Sequence, residues 1–239
     1  FVEGGVTTRS YTSPRKGRGT AINTPQRDRF IHAANLIGQI NALTETQQQR
    51  IAEQKAHGID AFNGIYLKFE SAPNFELKFE SLNVRLSGIE LCSVKKVGNT
   101  HIATVFVPEG KLPIFLNKIQ AYANPEKNTK KGNPANRELI ESIEAISEAV
   151  LQALWTDDEK LYPAANHETW WEIWLRRSDD IDYERVFKQH APELGIQIST
   201  ETIRFIDRTI VLAKATREQL SQSIQLIGAI AEIRSPKVR

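Results

Sequence analysis

The last third of the chain has an order of helix and strand signals that few folds satisfy. A strand is predicted at 170–176, a helix at 183–194, strands at 196–206 and 209–215, a helix at 217–227 and a strand at 229–235. Thr216 and Gln219 form a capping box at the start of the second helix, and Gly228 is typical of the residue that ends a helix. The order βαββαβ is that of the ferredoxin-like split βαβ motif.

The same order of signals occurs once before, which indicates an internal duplication. A strand is predicted at 62–70, a helix at 74–82, strands at 89–97 and 100–107, and a helix at 111–123. After a polar insert at 124–136, IEAI at 143–146 is similar to IAEI at 230–233 and predicts a fourth edge strand, although a helix through Leu154 fits the spacing as well. The repeat distance of about 110 residues is too long for a solenoid array.

We therefore predict an α+β fold with two ferredoxin-like βαββα(β) units behind a long N-terminal helix. The predicted segments are an extended basic arm at 1–25, the helix at 26–60, the first unit at 61–156 and the second unit at 157–239. Apolar residues from Phe30 to Leu43 recur at helical spacing, and a weaker stripe follows at Gln47 and Ile51. Because the second half of this helix is polar, we expect it to project or to lie across a partner.

Composition gives no support to nucleic-acid or membrane binding. The net charge is +2 over 239 residues, and no apolar run approaches the roughly 20 residues that span a bilayer. The single cysteine, Cys92, is expected to be a small buried residue, and the absence of a disulfide framework favours a cytoplasmic protein. The chain begins at Phe1 and contains no methionine, so we expect it to be part of a longer protein.

The sequence contains no motif of catalysis or of metal or cofactor binding. Its five histidines fall on separate predicted elements, without an HExxH motif, a Cys–His cluster, a phosphate-binding loop or a GxSxG motif. Acidic residues cluster at 157–159 and 179–182, where solvated turn and cap positions are expected. We therefore predict no catalytic, metal-binding or cofactor-binding residue.

Three tryptophans stand close together in the first strand of the second unit. Strand alternation places Trp170 and Trp174 on one face of the sheet and Trp171 on the other. Packing of the sheet on its helices explains these side chains, and a partner-binding surface is the alternative explanation.

Five segments occur in order along nearly the whole chain. They are TSPRKGRG, RDRFIHAANLIGQI, ALWTDDEKLYP, WWEIWLR and RTIVLAKATREQLSQSIQLIGAIAEIR. Together they resemble the N-terminal region of a group of bacterial subtilisin-like serine peptidases. In that group a long non-catalytic region precedes the peptidase domain, and the genes tend to lie beside a gene for an AAA-type ATPase in phage-defence or plasmid-maintenance pairs. Subtilisin propeptides share the order βαββαβ, with a final strand and tail that lead toward the protease cleft.

The chain lacks the Asp, His and Ser motifs of a subtilisin-like catalytic domain, so we expect it to hydrolyse nothing itself. The resemblance implies a prodomain-like region that binds the catalytic domain of its parent through an exposed sheet face and acts as intramolecular chaperone and autoinhibitor. Its final strand and tail would occupy the substrate groove as an added β-strand. The residues expected in that groove are Ile230, Ala231, Glu232, Ile233, Arg234, Ser235 and Pro236.

Two rival functions stay open at this point. One is an adaptor or sensor that docks a partner such as an AAA-type ATPase through the basic arm and residues 24–57. Its expected contact residues are Arg15, Lys16, Arg18, Arg27 and Arg29. The other is a nucleic-acid module, because ferredoxin-like sheets often bind RNA through aromatic residues on their central strands. We do not favour it, since the strands at 100–107 and 209–215 lack the RNA-binding pattern and the charge is nearly balanced.

Overall fold

A long N-terminal helix and two four-stranded antiparallel sheets make up the fold, which confirms the predicted α+β class. The computed structural model describes residues 22–56, 64–177 and 181–236. Most of the predicted basic arm, with Arg15, Lys16 and Arg18, lies outside the described residues. Residues 57–60 of the predicted first helix and the start of the predicted first strand also lie outside them. Among the described residues no helix has the length and apolar content to cross a membrane.

The first sheet has the strand order β2-β3-β1-β4. Its strands are β1 (Gly64–Ser71), β2 (Glu90–Val97), β3 (Thr100–Pro108) and β4 (Ile143–Glu148). Helix α2 (Pro113–Ala123) follows β3, and the short helix α3 (Arg137–Ser142) precedes β4. The segment at 143–146, for which both a strand and a helix fitted the sequence, is therefore a strand.

One predicted helix of the first unit is wrong. The segment at 74–82 contains only a 3₁₀ turn at Phe79–Leu82. Asn74 has a φ of 68°, which a regular right-handed helix does not contain, and Phe75, Leu77 and Phe79 alternate with polar residues rather than following helical spacing.

The second sheet has the strand order β6-β7-β5-β8, which is the same order along the chain as in the first sheet. Its strands are β5 (Thr169–Leu175), β6 (Gln197–Arg204), β7 (Thr209–Ala215) and β8 (Ile230–Arg234), and its helices are α4 (Tyr183–His190) and α5 (Arg217–Ile227). The predicted capping box is confirmed, because the Thr216 hydroxyl accepts from the Gln219 amide and the Gln219 side chain accepts from the Thr216 amide. Gly228 ends α5 with a φ of 63°.

Helix α1 (Arg29–Ala56) packs on the first unit along its described length. Asp28 begins it by accepting hydrogen bonds from the amides of Phe30 and Ile31. The expectation that its polar half projects is wrong, since Gln47 and Ile51 in this half are buried, and the helix also contacts α5. That this half lies across a partner stays a prediction. Gln47, only 4% exposed, donates to the carbonyls of Val107 and Pro108, both at 3.2 Å, and Ile51 is buried.

The two units pack against each other through one face of the first sheet. Helices α1 and α2 cover the other face of that sheet. Tyr66, Cys92 and Phe106 instead join the hydrophobic core of the second unit, and Cys92 is buried as predicted. The Tyr66 hydroxyl donates to the Ile230 carbonyl at 2.6 Å. Strand β8 is therefore held from the first unit as well as from its own sheet.

Candidate functional site

The second sheet presents one face that the other described elements do not cover. Its inner face carries Trp171, Ile173 and Leu175, which are fully buried beneath α4 and α5. The opposite face, called the open face here, is formed by Trp170, Glu172 and Trp174 of β5, Leu212 and Lys214 of β7, and Ile203 of β6. Trp170 is 44% exposed, and the predicted alternation of the three tryptophans is confirmed.

Trp174, next to the end of β5, is held in an aromatic stack on the open face. Its ring is parallel to that of Phe205, with the centroids 5.9 Å apart, and the guanidinium carbon of Arg234 lies 4.4 Å from its centroid. Its indole N–H donates to Oε1 of Glu172 at 2.7 Å. An aromatic side chain fixed in this way loses little conformational entropy when a partner binds to it.

Charged side chains on and around the open face are paired within the chain. Lys214 lies 2.7 Å from Glu168, and Arg234 pairs with Glu232, which also accepts from the Thr156 hydroxyl. Exposed aromatic and aliphatic side chains therefore alternate on this face with charged side chains such as Glu172 and Lys214, which are already engaged within the chain.

The sequence analysis did not identify the loop after β6 as part of this face. Phe205 is 48% exposed, and Ile206 beside it is 95% exposed. The sequence contained an indication of this, because a turn that only faces solvent rarely carries two consecutive large apolar residues such as those before Asp207 and Arg208.

Most of the predicted protease-groove segment belongs to the fold itself. Ile230, Ala231 and Ile233 are fully buried in β8, and the side chains of Glu232 and Arg234 lie on the open face. One edge of β8 pairs with β5. The other edge meets residues 155–156, where the Thr156 amide donates to the Ile233 carbonyl at 3.3 Å.

Ser235 and Pro236 therefore follow the sheet, whereas the five residues before them are part of it. The Ser235 amide donates to Oδ2 of Asp157 at 2.8 Å, and Pro236 is the last described residue. Arg234, the last residue of β8, pairs with Glu172 and packs its side chain on Trp174, so the chain leaves the sheet at the edge of the open face.

The predicted partner-binding arginines are engaged inside the chain where they are described. Arg27 pairs with Glu144 at 2.6 Å. Arg29 donates to the carbonyl of Tyr122 at 2.5 Å and to Oδ1 of Asn128 at 2.8 Å. These contacts attach the start of α1 to the first unit. Arg15, Lys16 and Arg18 lie outside the described residues.

No group of His, Cys, Asp and Glu side chains within the described ranges has an arrangement that would hold a metal ion. Burial raises the pKa of the Cys92 thiol to about 12, which keeps the group protonated and unreactive at neutral pH.

Comparison with known proteins gives one family. The family model described as the Y4kK N-terminal domain matches residues 31–150, about half of the chain. The matched region runs from α1 through β4, and it ends before the second sheet begins. A search of curated proteins finds no match.

Proposed function

The chain belongs to the Y4kK N-terminal domain family, and we propose that it is the non-catalytic, prodomain-like region of a subtilisin-like serine endopeptidase. In this role it acts as an intramolecular chaperone and autoinhibitor of the catalytic domain. The observation that carries the proposal is the position of the open face next to the end of β8, where Arg234 packs on Trp174 and the tail begins.

The order of strands supports the ferredoxin-like architecture that this function requires. Numbered within each unit, both sheets have the order 2-3-1-4, which is the antiparallel order of a ferredoxin-like fold. The second unit is the more complete copy, because α-helices follow both its first and its third strand, whereas the first unit has only 3₁₀ turns between its first two strands. Fold alone does not define function, so the proposal depends on the open face and the tail.

The proposed complex has two parts. The catalytic domain packs on the open face, where Trp170 and Trp174 supply the buried aromatic anchors that dominate many interfaces. The chain after Arg234 enters the substrate groove and adds a strand to its edge. Since both edges of β8 are occupied, the inhibitory segment begins at Ser235, and the earlier residues of the predicted segment hold it in place. Pro236 has no amide hydrogen, so pairing in the groove uses the residues on either side of it.

A second candidate function rests on the extent of the family match. The match is confined to α1 and the first unit. If the chain acted only as an inhibitor through its second unit, the family would not be expected to be defined by the first unit. The first unit could instead be an adaptor that docks a partner such as an AAA-type ATPase. This role explains why the family match covers the first unit and not the second sheet.

Inhibition in trans tests the first proposal. The 239-residue chain and the catalytic domain of the proposed parent peptidase are purified separately, and hydrolysis of a peptide substrate is measured at increasing concentrations of the chain. We expect competitive inhibition, and removal of residues 235–239 should abolish most of it. Trp170→Ala should raise the inhibition constant by about 30-fold, because a central aromatic anchor contributes roughly 2 kcal/mol.

Phe30→Ala is the matched control, because Phe30 is an exposed aromatic residue on α1, in the first half of the chain, and is 62% exposed. It should leave the inhibition constant unchanged. If the intact chain does not inhibit, or if the Trp170 variant and the tail deletion inhibit as well as the parent chain, the prodomain proposal is wrong and the adaptor role becomes the better explanation.

A further inference from the structure

A half-open groove of about 990 Å³ lies in the first unit, and it plays no part in the proposed contact with a protease. Its walls are the polar insert at 129–136, the start of α3 and the segment at 78–84, and residues 22–24 lie at its rim. Its volume is that of a small-molecule site.

The groove has an excess of positive charge. Among the described residues five cationic side chains line it, and the only carboxylates are those of Glu80 and Glu138. The five are Lys78, Lys118, Lys130, Lys131 and Arg137. Lys78 lies 3.0 Å from Glu138, and Arg137 lies 3.0 Å from Glu141. Among the described residues the remaining three lysines make no ion pair.

Lys118 is the most informative of these three lysines. It is half-buried, its ammonium donates to the Ser81 carbonyl at 2.9 Å, and it lies 5.7 Å from the centre of the Phe115 ring. Burial lowers its pKa, and no neighbouring carboxylate offsets this effect. An ammonium group removed from water without a counter-ion is unfavourable, so an anion in the groove would stabilise it.

The lining also indicates the chemistry of that anion. Lysine ammonium groups are compact charges on flexible stems, which suits them to phosphate groups, and Lys130 and Lys131 are exposed and free to close on a ligand. The apolar part of the lining is aliphatic, at Ile22, Val84 and Leu139, with no aromatic ring among the described lining residues. We propose that this groove binds a phosphate-bearing small molecule through Lys118, Lys130 and Lys131.

Isothermal titration calorimetry with tripolyphosphate and, separately, with ATP tests the site on the whole chain. Lys130→Gln/Lys131→Gln should weaken binding at least about 10-fold, the equivalent of one lost charge contact of roughly 1.4 kcal/mol. Lys111→Gln/Lys127→Gln is the control, because it removes the same charge from exposed positions outside the groove and should change affinity less than about twofold. Lys118→Met should weaken binding as well, with its folding checked by circular dichroism.

Equal affinity for the two probes identifies a site for the phosphate chain alone, and tighter binding of ATP identifies a nucleotide site. Absence of saturable binding up to about 10 mM would overturn the proposal, since a weaker contact has no specificity. Equal weakening by the two double variants would overturn it too, because it would mean that diffuse charge rather than the groove attracts the anion. The proposal is independent of any protease.

Discussion

Replacing Glu90 by glutamine should destabilise the whole chain, because its carboxylate is the counter-ion of two arginines from the second unit. Oε2 of Glu90 lies 2.8 Å from Nε of Arg176, and Oε1 lies 2.7 Å from Nη1 of Arg208. The Arg176 side chain is only 4% exposed. It also donates to the Gly228 carbonyl at 2.9 Å and lies 3.6 Å from the centre of the Phe106 ring.

The expected loss follows from this geometry. Removal of one partner from a buried ion pair costs roughly 3–5 kcal/mol, because the other charge stays buried without compensation. The lower end applies here, since the Glu90 side chain keeps 17% exposure and Arg176 keeps its carbonyl and ring contacts. We therefore expect the free energy of unfolding to fall by about 3 kcal/mol and the melting temperature by roughly 6–12 °C.

Urea denaturation measures this change with two probes. Trp155 packs in the hydrophobic core of the second unit, and the other three tryptophans lie on its strand β5, so their fluorescence follows the second unit. Far-ultraviolet circular dichroism follows both units. Glu76→Gln is the control, because Glu76 is exposed and has no ion pair among the described residues. It should change stability by less than about 0.5 kcal/mol. A loss below about 1 kcal/mol for Glu90→Gln would refute the argument that this pair locks the two units together.

Two further predictions concern stability. Thr216→Ala removes the capping box of α5 and should lower the free energy of unfolding by about 1 kcal/mol. The control Thr46→Ala removes an exposed hydroxyl in the middle of α1 and should not lower it. Equal losses in the two variants would contradict the capping role. Burial lowers the pKa of His32 below its ordinary 6.5, and Nε2 of the neutral ring donates to the Ile140 carbonyl at 3.0 Å. The unfolded chain therefore binds a proton that the folded chain does not, and stability should fall as the pH decreases from about 6.5 through the lowered pKa. In urea titrations from pH 7.5 to 5, His32→Gln should show a shallower fall, and an unchanged slope would contradict this assignment.

The elements predicted best are those with local start and stop signals. β7 and α5 have the predicted bounds, because a turn, a capping box and a final glycine delimit them within a few residues. The segment at 74–82 lacked such signals, and its apolar residues Phe75, Leu77 and Phe79 are spaced by two, which is not the spacing of a helix. Turn and capping residues were therefore sufficient to predict β7 and α5, and the segment at 74–82 has no capping box or final glycine.

The placement of α1 could not be read from its sequence. Its stripe at Gln47 and Ile51 is weak by hydropathy, yet Gln47 satisfies two carbonyls about sixty positions further along the chain. Arg27 and Arg29 were expected to contact a partner for the same reason, because their actual partners are distant in sequence, on β4 and at the end of α2. A polar side chain with a distant partner looks the same in sequence as one facing water.

The candidate site was predictable in part. Alternation separated Trp170 and Trp174 from Trp171, since the period of a strand is fixed by its backbone. It did not reveal which face α4 and α5 would cover, nor that Phe205 would stack on Trp174 across the sheet. Both depend on tertiary packing.

The two sheets have the same strand order, and each has one face without helices. This face is buried in the first unit and exposed in the second. In the first unit this face, with Tyr66 and Phe106, is buried against the second unit. In the second unit the corresponding face keeps Trp170 and Ile203 exposed. Large exposed apolar side chains grouped on one surface are typical of a contact site, and the exposed group here lies on the sheet from which the tail leaves. The first unit thus supports the second, and recognition of a protein partner is expected on the open face.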